Sequence, residues 1–328
     1  MRGVAMLLVI LGHTMTGCTV DSQSSFLFNV VWSLQMPLFI LISGYVTKYS
    51  NPICNASQLI NYVKRRTIAY MLPFCVWSFL IRGILFAQYD YLNIKYLLWH
   101  MDSGYWFLTT IWTISMIFGL AGYVAERLGN GSFIKKQIVL LVVYLAGMFV
   151  LTVVGLAAGL AFFAIKLTLY YMPFYYAGYL FGQFDETILA KTMGRKVIDC
   201  MIAISFAFWL FITLRFSLYE VPDGVFAIGG RAATSLAGCI AVTGLLRKQF
   251  LKTRGILPWL GRHSLEIYLV HYFCLCLIPT ETAPNIISME GWLLVLLNFC
   301  VTVVLTCEVV YLLNQNSVTC FLLFGKRK

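Results

Sequence analysis

Long apolar runs recur along the whole of this chain, and they constrain its fold more than any other feature. A run of about 20 apolar residues can cross the hydrocarbon core of a bilayer as a helix. Of the 328 residues, 60% are hydrophobic and only 11% are charged, whereas soluble domains carry about 25% charged residues. The sequence therefore predicts an all-α polytopic membrane protein, folded as one membrane domain over residues 1–328 with about ten transmembrane helices. The expected spans cover residues 3–20, 26–46, 68–86, 106–125, 137–156, 167–184, 197–217, 225–246, 262–279 and 291–313.

The charged residues alternate with these spans. The net charge of +11 could suggest nucleic acid, but Lys and Arg cluster after the even-numbered spans, while the connections after odd-numbered spans are mainly acidic. This is the positive-inside pattern, so we predict that both termini are cytoplasmic and that the partner is the lipid bilayer, not nucleic acid. A secondary interpretation is that the basic loops bind anionic lipid or a phosphorylated substrate. The basic residues are Lys64, Arg65, Arg66, Arg127, Lys135, Lys136, Lys191, Arg195, Lys196, Arg247, Lys248, Lys252, Arg254, Lys326, Arg327 and Lys328, and the acidic ones are Asp21, Asp90, Asp102, Glu220, Asp223, Glu281 and Glu290.

Two histidines lie at the same expected depth. Arg2 begins the first apolar run, and His13 lies eleven positions further on, which is about 16 Å along a helix. His271 lies ten positions after Gly261 at the start of the ninth run. Ionisable groups inside a membrane are costly and often mark functional sites, although a lone histidine can also be a hydrogen-bonded contact between helices. Whether the two histidines share one polar cavity depends on whether the two spans are neighbours, which the sequence leaves open.

Other ionisable groups also fall within the expected spans. Glu266 and Glu308 lie within two turns of the cytoplasmic ends of their spans, the level at which Arg2 and Arg262 are also expected. They could form structural ion pairs that let helices pack, or a polar vestibule open to the cytoplasm. Arg231 is expected in the outer half of the eighth span, where it could snorkel or meet an anionic acceptor that enters from outside.

The second span ends with a proline and a small-residue pair. A proline in a helix leaves a carbonyl without its usual partner, and Ser43-Gly44 provides a surface that another helix or a ligand can approach closely. Helix packing alone would account for such a surface in a membrane. The ten cysteines show no metal-ligand spacing, so we predict no metal site. The sequence also lacks a phosphate-binding glycine loop and a nucleophile elbow.

Several segments resemble the acyltransferase-3 family of integral membrane acyltransferases. Arg2 to His13 resembles that family's Arg-x10-His motif. Met36 to Tyr45 is similar to its Pro-Leu-Phe…Ser-Gly-(Phe/Tyr) motif, and Leu260 to His271 is similar to its "Leu-Gly-x-x-Ser…Tyr-Leu-x-His" block. Trp106 to Leu108 resembles the start of its fourth span, and Phe174 to Gly182 resembles its sixth-span glycine pattern. The resemblance covers nearly the whole chain, and the first and last motifs are the specific ones.

The resemblance implies transfer of an acyl group, usually acetyl from acetyl-CoA, to a hydroxyl of a cell-surface glycan or its lipid-linked precursor. Relatives with the Met-Pro-Leu-Phe variant resemble sugar O-acetylases of bacterial envelope polysaccharides, so we expect a multi-pass protein of the inner membrane. The chain departs from the family at two places. Relatives usually carry several residues before the arginine, so a longer lead-in to Arg2 is expected, and Gln35 stands where many relatives have a histidine.

These observations assign roles to the expected site residues. Arg2 would pair with a CoA phosphate or position the thioester end. His13 would act either as general base on the sugar hydroxyl, which suits the near-neutral pKa of histidine, or as the group that accepts the acetyl and passes it on. His271 and Tyr268 would orient His13 or bind substrate. Further candidates for substrate binding are Ser43, Glu266 and Arg231.

Two other functional classes stay open at this point. A transporter or flippase for a glycan or lipid would also use many spans and polar groups in the middle of the membrane, although the sequence shows no inverted repeat of broken helices. A structural or assembly subunit would need neither histidine.

Overall fold

The computed structural model describes residues 1–101, 104–129, 131–183, 194–216, 224–249 and 255–326. Within these ranges the regular structure is helical, apart from one isolated parallel bridge between Val20 and Asn285. The prediction of an all-α fold is thus confirmed. Several loop charges used in the topology prediction lie outside the described residues, and the side chains of Arg195, Arg247 and Lys248 are not described either. The loop charges concerned are Asp102, Lys191, Glu220, Asp223, Lys252, Arg254, Arg327 and Lys328.

The described residues form thirteen α-helices, which we number in chain order. Between α3 and α4 the chain continues as a π-helix over Val76–Leu85. The helices are α1 (Arg2–Cys18), α2 (Phe26–Tyr45), α3 (Ala56–Cys75), α4 (Ile94–Trp99), α5 (Trp106–Leu128), α6 (Phe133–Ala158), α7 (Ile165–Gln183), α8 (Arg195–Arg215), α9 (Val225–Gln249), α10 (Ile256–Arg262), α11 (Ser264–Val270), α12 (Met289–Leu313) and α13 (Ser317–Phe324).

The helices belong to two compact units. The first unit comprises Met1–Thr47 and Phe174–Leu312, and the second comprises Lys48–Pro173 and Leu313–Lys328. In the first unit, α1 packs against α2, α10 and α11, and α9 packs against α2 and α8. In the second, α5 packs against α3 and α6, and α13 packs against α3. The prediction of one domain over 1–328 stays a prediction.

Seven helices among the described residues are long and apolar enough to cross a membrane. The three expected spans that are not among these seven are α1, α7 and the ninth span. Helix α1 has 17 residues, which makes it about 25 Å long, shorter than the roughly 30 Å core of a bilayer. Helix α7 carries several tyrosines, whose hydroxyls lower its apolar character. The count of ten spans and the cytoplasmic placement of the termini therefore stay predictions.

The ninth span was expected as one helix over residues 262–279, and this expectation is wrong. Helix α11 ends at Val270, a single 3₁₀ turn covers His271–Cys274, and Leu275 is already extended (φ −72°, ψ 133°). Non-helical backbone at membrane depth is tolerated only where protein groups satisfy it. Residues at and just after the end of α1 supply some of these partners. Ile278 N–H donates to the carbonyl of Gly17, and Ile286 N–H donates to the carbonyl of Val20.

The hydrophobic core of the first unit lies beside this break. Its central side chains are all fully buried and come from α1, α2, α12 and the segment before α12. Ile286 of the irregular segment belongs to this cluster and Ile278 packs against it, so the segment is held by apolar packing as well as by hydrogen bonds. These core residues are Met15, Cys18, Phe28, Ile286 and Val295.

Two glycines allow α2 and the C-terminal part of α7 to touch through their backbones. A Cβ on Gly44 would overlap the carbonyl oxygen of Tyr175, and a Cβ on Gly178 would overlap that of Leu41. Small residues at such crossings let membrane helices approach closely. The Ser-Gly pair that ends the second span thus has a packing role through Gly44.

Gly178→Ala is expected to destabilise the first unit, because the added methyl group meets backbone that cannot rotate away. Overpacking of this kind costs about 1–3 kcal/mol. The melting temperature of the detergent-solubilised protein, followed by fluorescence-detected gel filtration, should fall by several degrees. The matched control is Gly229→Ala on α9, where a Cβ meets nothing within 4 Å. Equal melting temperatures for the two variants would contradict this account of the crossing.

Candidate active site

The two specific sequence motifs lie side by side in the first unit. A Cβ on Gly3 would overlap the carbonyl of Leu257, and one on Gly261 would lie 3.3 Å from the amide nitrogen of Gly3 and 3.5 Å from Cβ of Arg2. Helix α1 therefore starts against α10 and continues along α11 in the same direction. Gly3 is needed for this close approach, and at Gly261 an added Cβ would make only a tight contact. Arg2 and Gly261, from which the depths of His13 and His271 were counted, therefore lie at one level.

The structure brings His13 and His271 together. Their ring centroids are 5.3 Å apart and their planes are inclined by 40°. His271 is 3% exposed, and His13 is partly buried. The question that the sequence left open, whether the two segments are neighbours, is thus answered, and the two histidine rings lie side by side. The chemical roles of both side chains stay predictions.

The hydrogen bonds of His271 define its tautomer. Its Nδ1 lies 2.8 Å from the carbonyl oxygen of Tyr268 and 3.1 Å from that of Ile267. A carbonyl oxygen only accepts, so in the neutral ring Nδ1 carries the proton and Nε2 carries the lone pair. Nε2 is buried and has no hydrogen-bond partner among the described residues. A bare, buried imidazole nitrogen is a group that can accept a proton from a bound hydroxyl.

Aromatic side chains surround the pair. The ring of Trp32 lies 6.5 Å from that of His13 and the ring of Tyr272 lies 6.0 Å from it, both edge-on. Phe28 stacks on Trp32 at 4.9 Å, and the ring of Tyr268 is 6.0 Å from His271. Neither Trp32 nor Tyr272 was predicted from the sequence. Tyr272 directly follows His271, which was a usable signal, but the place of Trp32 depends on how α2 packs against α1.

Gln35, which departs from the family pattern, faces the residue before His13. Its Oε1 would lie 2.6 Å from a Cβ on Gly12. The side chain is 4% exposed, and Oε1 has no hydrogen-bond partner in the part of the chain that the structure describes. A side chain at position 12 would therefore displace the end of Gln35 from the space beside Gly12.

The acidic residues expected near the cytoplasmic ends differ in their surroundings. Glu266 is fully buried, and its Oε1 lies 3.2 Å from Nδ1 of His263, whose ring packs against Trp259 at 4.5 Å. Glu308 is exposed on α12. The structure thus shows a partner for Glu266 that the sequence analysis did not name, and Glu308 does not belong to a buried polar group.

Ser43 and Arg231 are the remaining candidates for substrate binding. Ser43 Oγ donates to the carbonyl of Phe39, and Ser43 is eleven positions from Trp32, about 16 Å along α2. Arg231 lies in the second turn of α9 with only 8% of its surface exposed. It is therefore buried in the first unit and does not snorkel. A substrate-binding role for either residue stays a prediction.

The second unit contains a buried cation that the sequence analysis missed. Arg82, in the π-helix, is 8% exposed and donates to the hydroxyl of Tyr91. Its guanidinium lies 5.1 Å from the centroid of the Tyr91 ring and 5.0 Å from that of Tyr105. An arginine inside an expected apolar span was the available signal.

A basic cavity of about 1060 Å³ also lies in the second unit. Lys64, Arg65 and Arg66 line it together with Tyr62 and Gln58. This cavity has the charge expected for the secondary interpretation of the basic loops, namely binding of a phosphate-bearing molecule.

No group of three or more His, Cys, Asp or Glu side chains is placed to hold a metal ion in the described ranges.

Comparison with known proteins gives one finding. A family model described as an acyltransferase domain, that of the acyltransferase-3 family, matches residues 1–312. No curated protein and no solved structure gives a significant match to the chain.

Proposed function

Because the chain belongs to the acyltransferase-3 family over residues 1–312 and is a membrane acyltransferase at that level, we propose a specific reaction for it. The protein moves an acetyl or other short acyl group from acyl-CoA on the cytoplasmic side to a hydroxyl of a cell-envelope glycan or lipid-linked sugar. It does so as a multi-pass protein of the inner membrane, without a metal. The observation that carries this proposal is the proximity of His13 to His271, whose Nε2 has no hydrogen-bond partner among the described residues.

The pair supplies what transfer to a hydroxyl needs. The acceptor oxygen attacks the thioester carbonyl carbon, a C–O bond forms, and the C–S bond breaks. The hydroxyl proton passes to an imidazole nitrogen and from there to the departing thiolate of CoA. His13 acts as that base, or it first accepts the acyl group on a ring nitrogen and then passes it to the acceptor. His271 and Tyr268 orient His13 or bind substrate beside it.

Arg2 completes the donor side. It lies at the start of α1 next to Gly261, eleven positions and about 16 Å from His13. A guanidinium binds phosphate through parallel hydrogen bonds, so Arg2 holds a phosphate of CoA while the pantetheine arm reaches toward the histidines. The cavity at Lys64, Arg65 and Arg66 offers a further cationic surface for phosphates within the second unit.

The direct test uses purified protein in lipid vesicles with acetyl-CoA. Release of free CoA thiol that depends on an added glycan acceptor is expected. Mass spectrometry of envelope glycans with and without the gene should show an acetyl-sized difference, which identifies the acceptor. A single turnover with acetyl-labelled CoA and no acceptor separates the two roles of His13, since label bound to the protein indicates an acyl-histidine. Glycans that are unchanged when the gene is removed would contradict the proposal.

Arg2→Ala is expected to weaken donor binding. Loss of a hydrogen-bonded charge costs about 1.5–3 kcal/mol, so kcat/KM for acyl-CoA should fall by about 10- to 100-fold. Arg2→Lys keeps the charge but not the bidentate geometry and should give an intermediate value. Arg215→Ala, at the exposed end of α8, is the control and should behave like wild type. Unchanged kcat/KM in Arg2→Ala would remove Arg2 from the site.

One observation favours the second candidate, a glycan or lipid transporter. The ninth span is broken at His271, and broken helices frequently bind substrates in transporters. The two functions make different predictions in the same vesicles. Movement of a labelled lipid-linked sugar across the bilayer without acyl-CoA, with no thiol release, would establish the transporter.

A further inference from the structure

The polar break after His271 is held by two side chains of α12. Asn298 Nδ2 donates to the carbonyl of Cys276 at 2.8 Å, and its Oδ1 accepts from the amide of the same residue at 3.2 Å. Thr302, one turn further along α12, lies with its Oγ1 3.1 Å from Oδ1 of Asn298 and 3.4 Å from the carbonyl of Cys274. Asn298 is 5% exposed and Thr302 is fully buried. The side-chain amide of Asn298 thus makes two hydrogen bonds with the backbone of Cys276, as a neighbouring β-strand would.

This contact is costly to lose. A backbone amide and a carbonyl that leave a helix in an apolar environment need other partners, and removal of the Asn298 amide would take away the partner that both groups of the exposed Cys276 have here. Asn298 can satisfy both groups because its amide carries a donor and an acceptor side by side. Its two contacts therefore favour the broken form of this segment over a continued helix.

The break in turn determines the state of His271. The last carbonyls of a helix have no intrahelical partner, and Tyr268 lies in the last turn of α11. Because α11 ends at Val270, the carbonyl of Tyr268 can accept from Nδ1 of His271 at 2.8 Å. That hydrogen bond leaves Nε2 with its lone pair, in a ring 5.3 Å from the ring of His13.

We propose that Asn298 is a positioning residue for His271. By pairing with both backbone groups of Cys276, it holds the end of α11 in the form that keeps the lone pair of His271 on Nε2, in a ring beside His13. This inference rests on the proposed acyl-transfer function and adds to it a residue on a helix that carries neither histidine. Asn298 acts through His271, so its removal lowers the rate of the chemical step and leaves binding of the acyl donor unchanged.

Kinetics of Asn298→Leu in lipid vesicles test the inference. Misplacement of a reacting group by about 1 Å can cost about 100-fold in rate, so kcat should fall by about that factor with the KM for acetyl-CoA unchanged. Asn298→Asp has the same shape and keeps an acceptor for the amide of Cys276, so its kcat should lie between those of Asn298→Leu and wild type. Thr306→Val is the matched control, because Thr306 is fully buried one turn beyond Thr302 and its Oγ1 has no hydrogen-bond partner among the described residues. It should behave like wild type.

The outcomes are distinct. A folded Asn298→Leu protein with the kcat of wild type would overturn the inference while leaving the proposed function intact, and so would a loss confined to KM. If Asn298→Leu does not fold, Asn298→Asp and Thr302→Val decide, and wild-type kcat in both would overturn it. Absence of transfer by the wild-type protein would overturn the proposed function and this inference together. An intermediate kcat in Asn298→Asp, with normal kcat in Thr306→Val, would establish Asn298 as a positioning residue.

Discussion

Replacement of His13 by alanine is expected to abolish acyl transfer while the amount of folded protein in the membrane stays normal. A positioned general base contributes about 10²–10⁴-fold to a reaction, and loss of an acyl-accepting nucleophile is at least as damaging. Both roles of His13 therefore predict a loss of this size in kcat. The side chain is only partly buried, so the cavity left by alanine should cost little stability.

The measurement is acetylated acceptor formed per molecule of protein, with protein quantified by fluorescence-detected gel filtration. His100→Ala is the matched control, since His100 is an exposed histidine that stacks on Tyr96 in the second unit. It should retain wild-type activity. Full activity in His13→Ala would exclude the assignment of His13, whatever the behaviour of the other variants.

Replacement of His271 by asparagine is expected to reduce kcat by about 100-fold, because His13 or the substrate then loses the imidazole that positions it. The asparagine amide can still donate to the carbonyl of Tyr268, as Nδ1 does now, but it places no basic nitrogen at the position of Nε2. If His271 served only as a hydrogen-bonded contact within its helix, this variant would keep its activity. His271→Asn therefore separates a structural role from a chemical one.

The same variant tests whether the two histidines act as one unit. Groups that act together in catalysis show losses that do not add, because removal of either disables the step. With ring centroids 5.3 Å apart, His13→Ala and His271→Asn should lose no more activity together than the more severe of the two loses alone. Fully additive losses would show that the two side chains serve separate steps.

The helices were largely predictable from the sequence because the signal for a membrane helix is local. Length and apolar composition are properties of a segment by itself, and most of the expected spans correspond to helices whose ends lie within a few residues of the prediction. The ninth span failed because its residues are apolar enough for a helix, and the partners that stabilise its break come from elsewhere. Asn298 and Thr302 lie more than 20 positions further along the chain, and no local pattern shows that they contact Cys276 and Cys274.

The site was predictable only as separate parts. His13 and His271 could be given equal depths from helix geometry, and Arg2 could be placed at the start of its helix. Trp32 and Gln35 were missed as site residues because their place depends on how α2 packs against α1. Arg82 was missed although an arginine in an apolar span is itself a signal, and its partners Tyr91 and Tyr105 are known only from the fold.

The sequence by itself determined the class of the protein and most of its helices, and it predicted equal depths for the two histidines, because hydrophobicity and the rise of a helix depend only on the residues of one segment. Only the tertiary structure decided that α1 lies against α10 and α11, that the two histidine rings are neighbours, and that Nε2 of His271 meets no hydrogen-bond partner in the described part of the chain. These features depend on contacts between segments distant in the chain. The contact between Gly3 and Gly261 and the hydrogen bonds of Asn298 to Cys276 are examples. Each exists only when both partners are in place.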